Sequence, residues 1–241
     1  MSVLLIIPAF NEEASIENVV DNIKNNFPQY DYVIINDGSK DRTSEICHKN
    51  GYNIIDLPVN LGLAGAFQTG MKYAYQNKYD YAIQFDADGQ HRAEYIEKMY
   101  KEIVKGYDVV IGSRFVTEKK PFSARMIGNR LISWAIKITT GKIITDPTSG
   151  MRLFGRNVMQ EFAYNINYGP EPDTISFLIK KGVKISEVQV SMDEREAGES
   201  YLNFTKSILY MLRMMLSILI MQNFRERPVK NKKENELCQF H

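Results

Sequence analysis

Apolar and polar positions change period repeatedly through the first half of the chain. Residues 3–7 form a continuous apolar run rich in β-branched side chains. Residues 12–26 then repeat Ile16, Val19, Val20 and Ile23 at helical spacing, with Asn11 as the candidate cap. The exchange recurs: strands are predicted over 32–35, 53–57, 81–85 and 108–111, and helices over 41–49, 63–75 and 94–104. Strands and helices that alternate through short connections predict an α/β fold, a mostly parallel sheet flanked by helices on both faces. Ligands of such sheets bind beyond the carboxyl ends of the strands. Asn11, Asp37, Asn60 and Asp86 all fall at those ends.

The second half is less regular. Residues 116–130 are polar and basic and read as a loop, 131–139 as a helix, 146–152 as a turn-rich stretch, 174–180 as a helix and 183–190 as a strand at a sheet edge. From Lys206 the polar residues Lys206, Tyr210, Arg213 and Ser217 trace one stripe of a helix that is otherwise apolar. The expected organisation is a catalytic domain over 1–200, an amphipathic helix over 201–224 for membrane or subunit contact, and a basic, disordered tail over 225–241. The apolar run 208–221 is interrupted by Arg213 and falls short of the ~20 residues that cross a bilayer.

Composition narrows the classes without choosing a chemistry. The 241 residues are 44% hydrophobic and 24% charged, as in a folded globular chain, and a formal net charge of +1 gives no field that would favour nucleic acid. Cys47 and Cys238 suit neither a disulfide framework nor a zinc cluster, which suggests a reducing compartment. The opening run turns polar after about ten residues and reads as a buried strand rather than a signal peptide. The expected location is the cytoplasm, at the cytoplasmic face of a membrane.

The chemistry concentrates at Phe85-Asp86-Ala87-Asp88-Gly89-Gln90-His91, where two carboxylates leave the end of an apolar strand. Hard divalent cations take oxygen ligands and commonly bridge one or two carboxylates to substrate phosphates. His91 reads as a packing or hydrogen-bonding residue. Around this core stand, in order, Pro8-Ala9-Phe10-Asn11-Glu12-Glu13, Asn36-Asp37-Gly38-Ser39-Lys40-Asp41-Arg42-Thr43, Asn60-Leu61-Gly62, Gly112-Ser113-Arg114 and Asp146-Pro147-Thr148-Ser149-Gly150-Met151-Arg152. Together, over roughly residues 3 to 200, they resemble the nucleotide-sugar glycosyltransferases of family 2, which have a GT-A fold, and within them the dolichol- and polyprenyl-phosphate branch.

The resemblance implies a single GT-A domain and roles for matching residues. Pro8, Phe10 and Glu12 would line the nucleotide pocket with Asn60 and Gly62, and Asp37 would read the base. Asp86 would contact the nucleoside and metal region, Asp88 would be the main protein ligand of Mg2+ or Mn2+, and Gln90 an additional one. A turn-forming role for Asn36 and Asp37, helix capping by Ser39 or Asp41, close packing at Gly62, Gly65 and Gly70, and a solvated Glu13 are the structural alternatives. Both Asp86 and Asp88 are present, against an inactive nucleotide-sugar binding scaffold. A nucleotidyltransferase would show a Gly-rich phosphate loop where this chain has Asn11-Glu12-Glu13.

The donor implied is a nucleotide-diphosphate sugar, UDP on breadth of use across the family, with inversion at the anomeric carbon. Two acceptors stay open. A polyprenyl phosphate is already an anion and needs positive groups, for which Arg114, Arg130, Arg152 and Arg195 are candidates. The branch's late Arg-x-x-Gly-x-Ser-Lys reads here Arg195-Glu196-Ala197-Gly198-Glu199-Ser200-Tyr201, with Tyr in place of Lys. A glycan hydroxyl needs a base, for which Glu171 and Asp173 are candidates; Asp173 could equally be the N-cap of the following helix. A small membrane subunit and a homo-oligomer are the protein partners left open.

Overall fold

The computed structural model describes residues 2–165, 168–193 and 204–223. Seven strands, β1 (Val3–Ala9), β2 (Asp31–Asn36), β3 (Ile54–Asp56), β4 (Tyr81–Gln84), β5 (Val109–Ser113), β6 (Arg152–Gly155) and β7 (Ile185–Gln189), form one sheet in the order β3-β2-β1-β4-β6-β5-β7. All pairings are parallel except those of β6, which runs antiparallel to β4 and β5. The helices are α1 (Ile16–Asn26), α2 (Thr43–Lys49), α3 (Gly62–Gln76), α4 (Ile96–Ile103), α5 (Ala124–Thr140), α6 (Arg156–Tyr164), α7 (Pro172–Lys180) and α8 (Phe204–Leu219).

β1 shows why the opening run lacks alternation. Leu4 and Ile6 face a core with Phe67 and Met71 of α3, whereas Val3, Leu5 and Ile7 face a second core with Ile16, Val20 and Ile23 of α1. A strand covered on both faces must be apolar at every position. The α3 layer lies so close that a Cβ on Gly70 would sit 2.2 Å from Cγ2 of Ile6, so close packing is what requires this glycine. Gly62 differs: its φ is 74° and no atom stands near a Cβ, so its role is to start α3 in the left-handed region.

Several boundaries differ from the sequence reading, each for a local reason. Asn11 is not the cap of α1. It sits at φ 57° in a turn tied to the next loop, and α1 begins at Ile16. The supposed loop over 116–130 is helical from Ala124, where Ser123 accepts a hydrogen bond from Met126 N (3.3 Å). Met126, Ile132, Ala135 and Ile136 supply its buried face, which Asn129, Arg130 and the neighbouring basic residues obscured. β6 and α6 were not anticipated: four residues, Arg152 to Gly155, are too short to show a period. Asp173 is not the cap of α7. Glu171 is, with Pro172 in the first turn, where its missing N–H costs nothing. The edge position expected for β7 is observed.

α8 packs on α5 and α7. A Cβ on Gly128 of α5 would overlap Sδ of Met211, and Met214 and Ile218 are fully enclosed. The polar stripe predicted along this helix divides, with the side chain of Lys206 outside the described residues. Ser217 is buried and donates to Asp173 Oδ2 (2.6 Å), Tyr210 lines the cavity described below, and Arg213 alone of the three is exposed.

Candidate active site

The loops at the carboxyl ends of β1 and β2 hold each other by hydrogen bonds between motifs distant in sequence. Asn11 N donates to Ser39 Oγ (2.9 Å), Lys40 N to Asn11 Oδ1 (2.9 Å), Glu12 N to Thr43 Oγ1 (2.9 Å) and Glu13 N to Asp41 Oδ2 (3.1 Å). Glu13, expected to be solvated, instead receives both the main-chain N and Nε of Arg42 (3.1 Å each). Asn36 forms the turn, its Oδ1 accepting from Ser39 N (3.2 Å). Asp37 is buried and accepts from Leu61 N (2.7 Å), which ties the β2 end to the segment after β3. Gly38 is required between them. Its φ is 67°, and a Cβ would approach Asn60 N to 2.9 Å.

These loops wall a cavity of about 630 Å³ at the carboxyl edge of the parallel strands. Pro8, Phe10 and Glu12 come from β1 and its turn, Asp37, Asn60 and Gly62 from the next two crossovers, and Asp86 and Asp88 from the end of β4. Arg152 and Glu171 stand on the same wall as Tyr210. An antiparallel strand explains Arg152: β6 starts where its neighbours end, so its first residue lies at the same sheet edge as Asp86, opposite Gln84.

Asp88 is almost fully buried, and its Oδ1 accepts from Gln90 N (3.1 Å) across the turn at Gly89, whose φ is 80°. Asp86 is held from three sides. Gln84 Nε2 donates to its Oδ1 (3.2 Å), its own N donates to Nδ1 of buried His91 (2.9 Å), and His91 Nε2 lies 3.4 Å from its Oδ2. Gly150 closes over this group so tightly that a Cβ would sit 2.8 Å from Asp86 Oδ2. Among the described residues no three His, Cys, Asp or Glu side chains form a self-sufficient metal cage. Two oriented carboxylates beside an open cavity fit a hard cation that takes its remaining oxygens from water and phosphate. Asp86 and Asp88 therefore suit Mg2+ or Mn2+, while Gln90, the third ligand expected, meets Asp88 through its main-chain N and is not among the residues that line the cavity.

The basic candidates divide. Arg152 is buried, with its guanidinium held by the main-chain oxygens of Pro147 (2.8 Å) and Pro170, and its Nε makes no hydrogen bond among the described residues. Burial lowers its pKa to about 10, opposed by the nearby Tyr210, Asp146 and Asp86. Arg114 does not line the cavity. Its Nε and one terminal nitrogen grip Asp146 (2.7 and 2.9 Å), which also accepts from Asn129. Burial pushes Asp146 upward, but the Arg114 hydrogen bonds and charge outweigh it and hold the carboxyl below its ordinary range. Arg130 donates to Lys120 O (3.0 Å) on an exposed surface. Arg195, with its Gly-x-Ser segment, and the basic residues 225–233 lie outside the described residues. Of the two carboxylate candidates, Glu171 lines the cavity. Asp173 does not, being buried against α8.

The sequence profile of glycosyl transferase family 2 matches residues 4–163, the stretch that builds most of this cavity. The chain belongs to that family. It is a glycosyltransferase with the family's GT-A α/β fold. The chain is 30% identical to an undecaprenyl-phosphate mannosyltransferase of Micrococcus luteus, over 83% of this chain and 87% of that one. It is 32% identical to a UDP-N-acetylglucosamine–dolichyl-phosphate N-acetylglucosaminyltransferase of Methanococcus voltae, over 78% and 84%. Among solved structures, the Mycobacterium tuberculosis glucosyl-3-phosphoglycerate synthase in complex with Mn2+, UDP and phosphoglyceric acid superposes with a TM-score of 0.64. The superposition covers 92% of this chain and 78% of that one at 19% identity, a likeness of fold.

Tyr210 and Gln84 line the cavity and Asp146 holds Arg114 outside it, and none of the three was a candidate site residue in the sequence reading. Asp146 and Gln84 carried a signal, an acid and an amide inside or beside motifs already singled out. Tyr210 stood out only as one member of the polar stripe on its helix, which did not point to a cavity.

Proposed function

We propose that this glycosyltransferase moves a hexose from a nucleotide-diphosphate sugar, with UDP the nucleotide, to a polyprenyl phosphate, inverting the anomeric carbon. The observation that carries the reading is the polarity of one cavity. The carboxylates of Asp86 and Asp88 line it together with the loops of β1 and β2, and the buried Arg152 cation, without an ion pair among the described residues, lines it too and would meet the acceptor. A divalent cation held by Asp88 and Asp86 would supply positive charge to the diphosphate leaving group. Pro8, Phe10 and Asp37 hold the nucleoside, and the buried walls exclude water that would otherwise hydrolyse the donor. The acceptor phosphate attacks as an anion and needs no proton removed, so Arg152 binds and orients it. The position of Asp173, turned away from the cavity, favours this acceptor over a glycan hydroxyl. Glu171 is the residue on which a hydroxyl-acceptor reading would rest.

The acceptor's location fits the outer surface. Ile127, Leu131, Trp134 and Ile138 form an exposed stripe on α5, and Leu209, Leu212, Leu216 and Ile220 form another on the adjoining α8. No described helix is long and apolar enough to cross a membrane. Apolar stripes on two adjoining helices suit a helix pair lying in the membrane interface, one of which also supplies Tyr210 to the cavity. We therefore place the enzyme peripherally, at the cytoplasmic face.

The test is incubation of purified enzyme with radiolabelled nucleotide sugars and Mn2+, with and without polyprenyl phosphate, followed by organic extraction. Label in the organic phase that requires both the lipid phosphate and the metal is expected. Transfer only to a polyprenol or glycan hydroxyl would replace this reading with the Glu171 one.

A further inference from the structure

Helix α8 lies outside the stretch that matches the family, yet it places one side chain in the cavity. Tyr210 stands on the wall shared by Arg152 and Glu171. One feature suits this wall to an anion. Arg152 is fully buried with its Nε–H unpaired among the described residues, and its other hydrogen bonds go to two neutral carbonyls, with acidic groups near it but none in an ion pair with it. A buried guanidinium and an orphaned donor beside an open cavity call for a ligand oxyanion. Burial and the charge of Glu171 raise the Tyr210 pKa above its ordinary value, so the phenol keeps its proton. A neutral phenol is a directed hydrogen-bond donor.

We propose that Tyr210 and Arg152 together form a phosphate-binding clamp, with α8 supplying the second donor of the site. The clamp deepens the proposed function, since the phosphate it grips is either the acceptor's or the donor's diphosphate. α8 then has two faces with linked tasks. The outer one carries Leu209, Leu212 and Leu216, and the inner one is tied to α7 by Ser217 donating to Asp173, while Gln222, just beyond α8, donates to the Asp173 main chain and accepts from Ser176. Contact of the outer face with a membrane would stabilise the placement of Tyr210 in the cavity.

Tyr210→Phe tests the clamp, because it keeps the ring and removes only the hydroxyl. Wild type and variant are titrated by calorimetry with geranyl phosphate, and with UDP or GDP plus Mn2+. Loss of a hydrogen bond to a charged group predicts about 10- to 100-fold weaker binding of the gripped ligand, with an unchanged melting temperature. Weakening confined to geranyl phosphate assigns the clamp to the acceptor; weakening of the nucleotide assigns it to the donor diphosphate. Equal affinities of both proteins for every probe would overturn the clamp while leaving the proposed function standing. Wild type that binds nucleotide but not geranyl phosphate would sink the lipid-phosphate acceptor, and the nucleotide arm would still decide Tyr210. Binding of neither probe class would sink both.

Discussion

Asp173 separates two accounts of the acceptor side, because the structure makes it an anchor where the sequence allowed a base. Its Oδ2 receives the Ser217 hydroxyl at 2.6 Å in a buried setting, and its main-chain oxygen receives Gln222 Nε2. A hydrogen bond to a charged group contributes ~1.5–3 kcal/mol. Full burial of Met214 and Ile218 contributes a further ~1.5–3 kcal/mol each to holding α8. Removing the hydroxyl with Ser217→Ala should therefore loosen α8 without releasing it. A loss of ~2 kcal/mol corresponds to about a 30-fold larger undocked population. Hydrogen exchange of amides in 204–219 should accelerate by about that factor. Asp173→Asn, which keeps the shape but cannot serve as a base, should accelerate it less. At saturating lipid phosphate, kcat of Asp173→Asn should stay within a few-fold of wild type. A general base contributes about 10²- to 10⁴-fold to rate. A fall in kcat of that size, with α8 protection unchanged, would refute the anchoring role and restore Asp173 as the base.

Three further outcomes follow from the site. Asp88→Ala should nearly abolish transfer and Mn2+-dependent nucleotide binding while leaving the thermal transition in place; full turnover by metal-stripped enzyme in EDTA would contradict this. Gly150→Ala brings a Cβ to 2.8 Å from Asp86 Oδ2 and 3.2 Å from His91 Cε1, so the displaced carboxylate should cost about 10- to 100-fold in metal affinity, read by Mn2+ titration. The Arg114–Asp146 pair sets an acid limb. Because the folded Asp146 carboxyl titrates below its unfolded value of about 3.9, its contribution is present above that pH and is lost as pH falls through the folded value. Asp146→Asn should flatten that part of the stability–pH curve below about pH 4.

How legible the site was depended on where each residue lies relative to the sheet. Asp37, Asn60, Asp86 and Asp88 could be read because parallel strands deliver their carboxyl ends to one edge, so a short apolar run followed by a polar residue suffices. Arg152 was found as a motif residue, but its burial was not, since the antiparallel β6 that explains it is only four residues long. Arg114 carried the same motif signal and proved to be engaged by Asp146, a contact between residues 32 apart that no local pattern encodes. In α8 the periodicity was legible and the partners of each position were not. Sequence shows a polar stripe, but only the packing of α7 shows that Ser217 has a buried partner and that Tyr210 meets a cavity.

The chemical identity of the product tests the central claim most directly. Enzyme, nucleotide sugar, Mn2+ and polyprenyl phosphate are incubated together, and the lipid product is characterised by phosphorus and proton NMR. The account predicts that the acceptor's phosphomonoester resonance is replaced by a hexosyl phosphodiester with the anomeric configuration opposite to the donor's. An unchanged phosphomonoester with sugar attached to a hydroxyl, or a product of retained configuration, would contradict it.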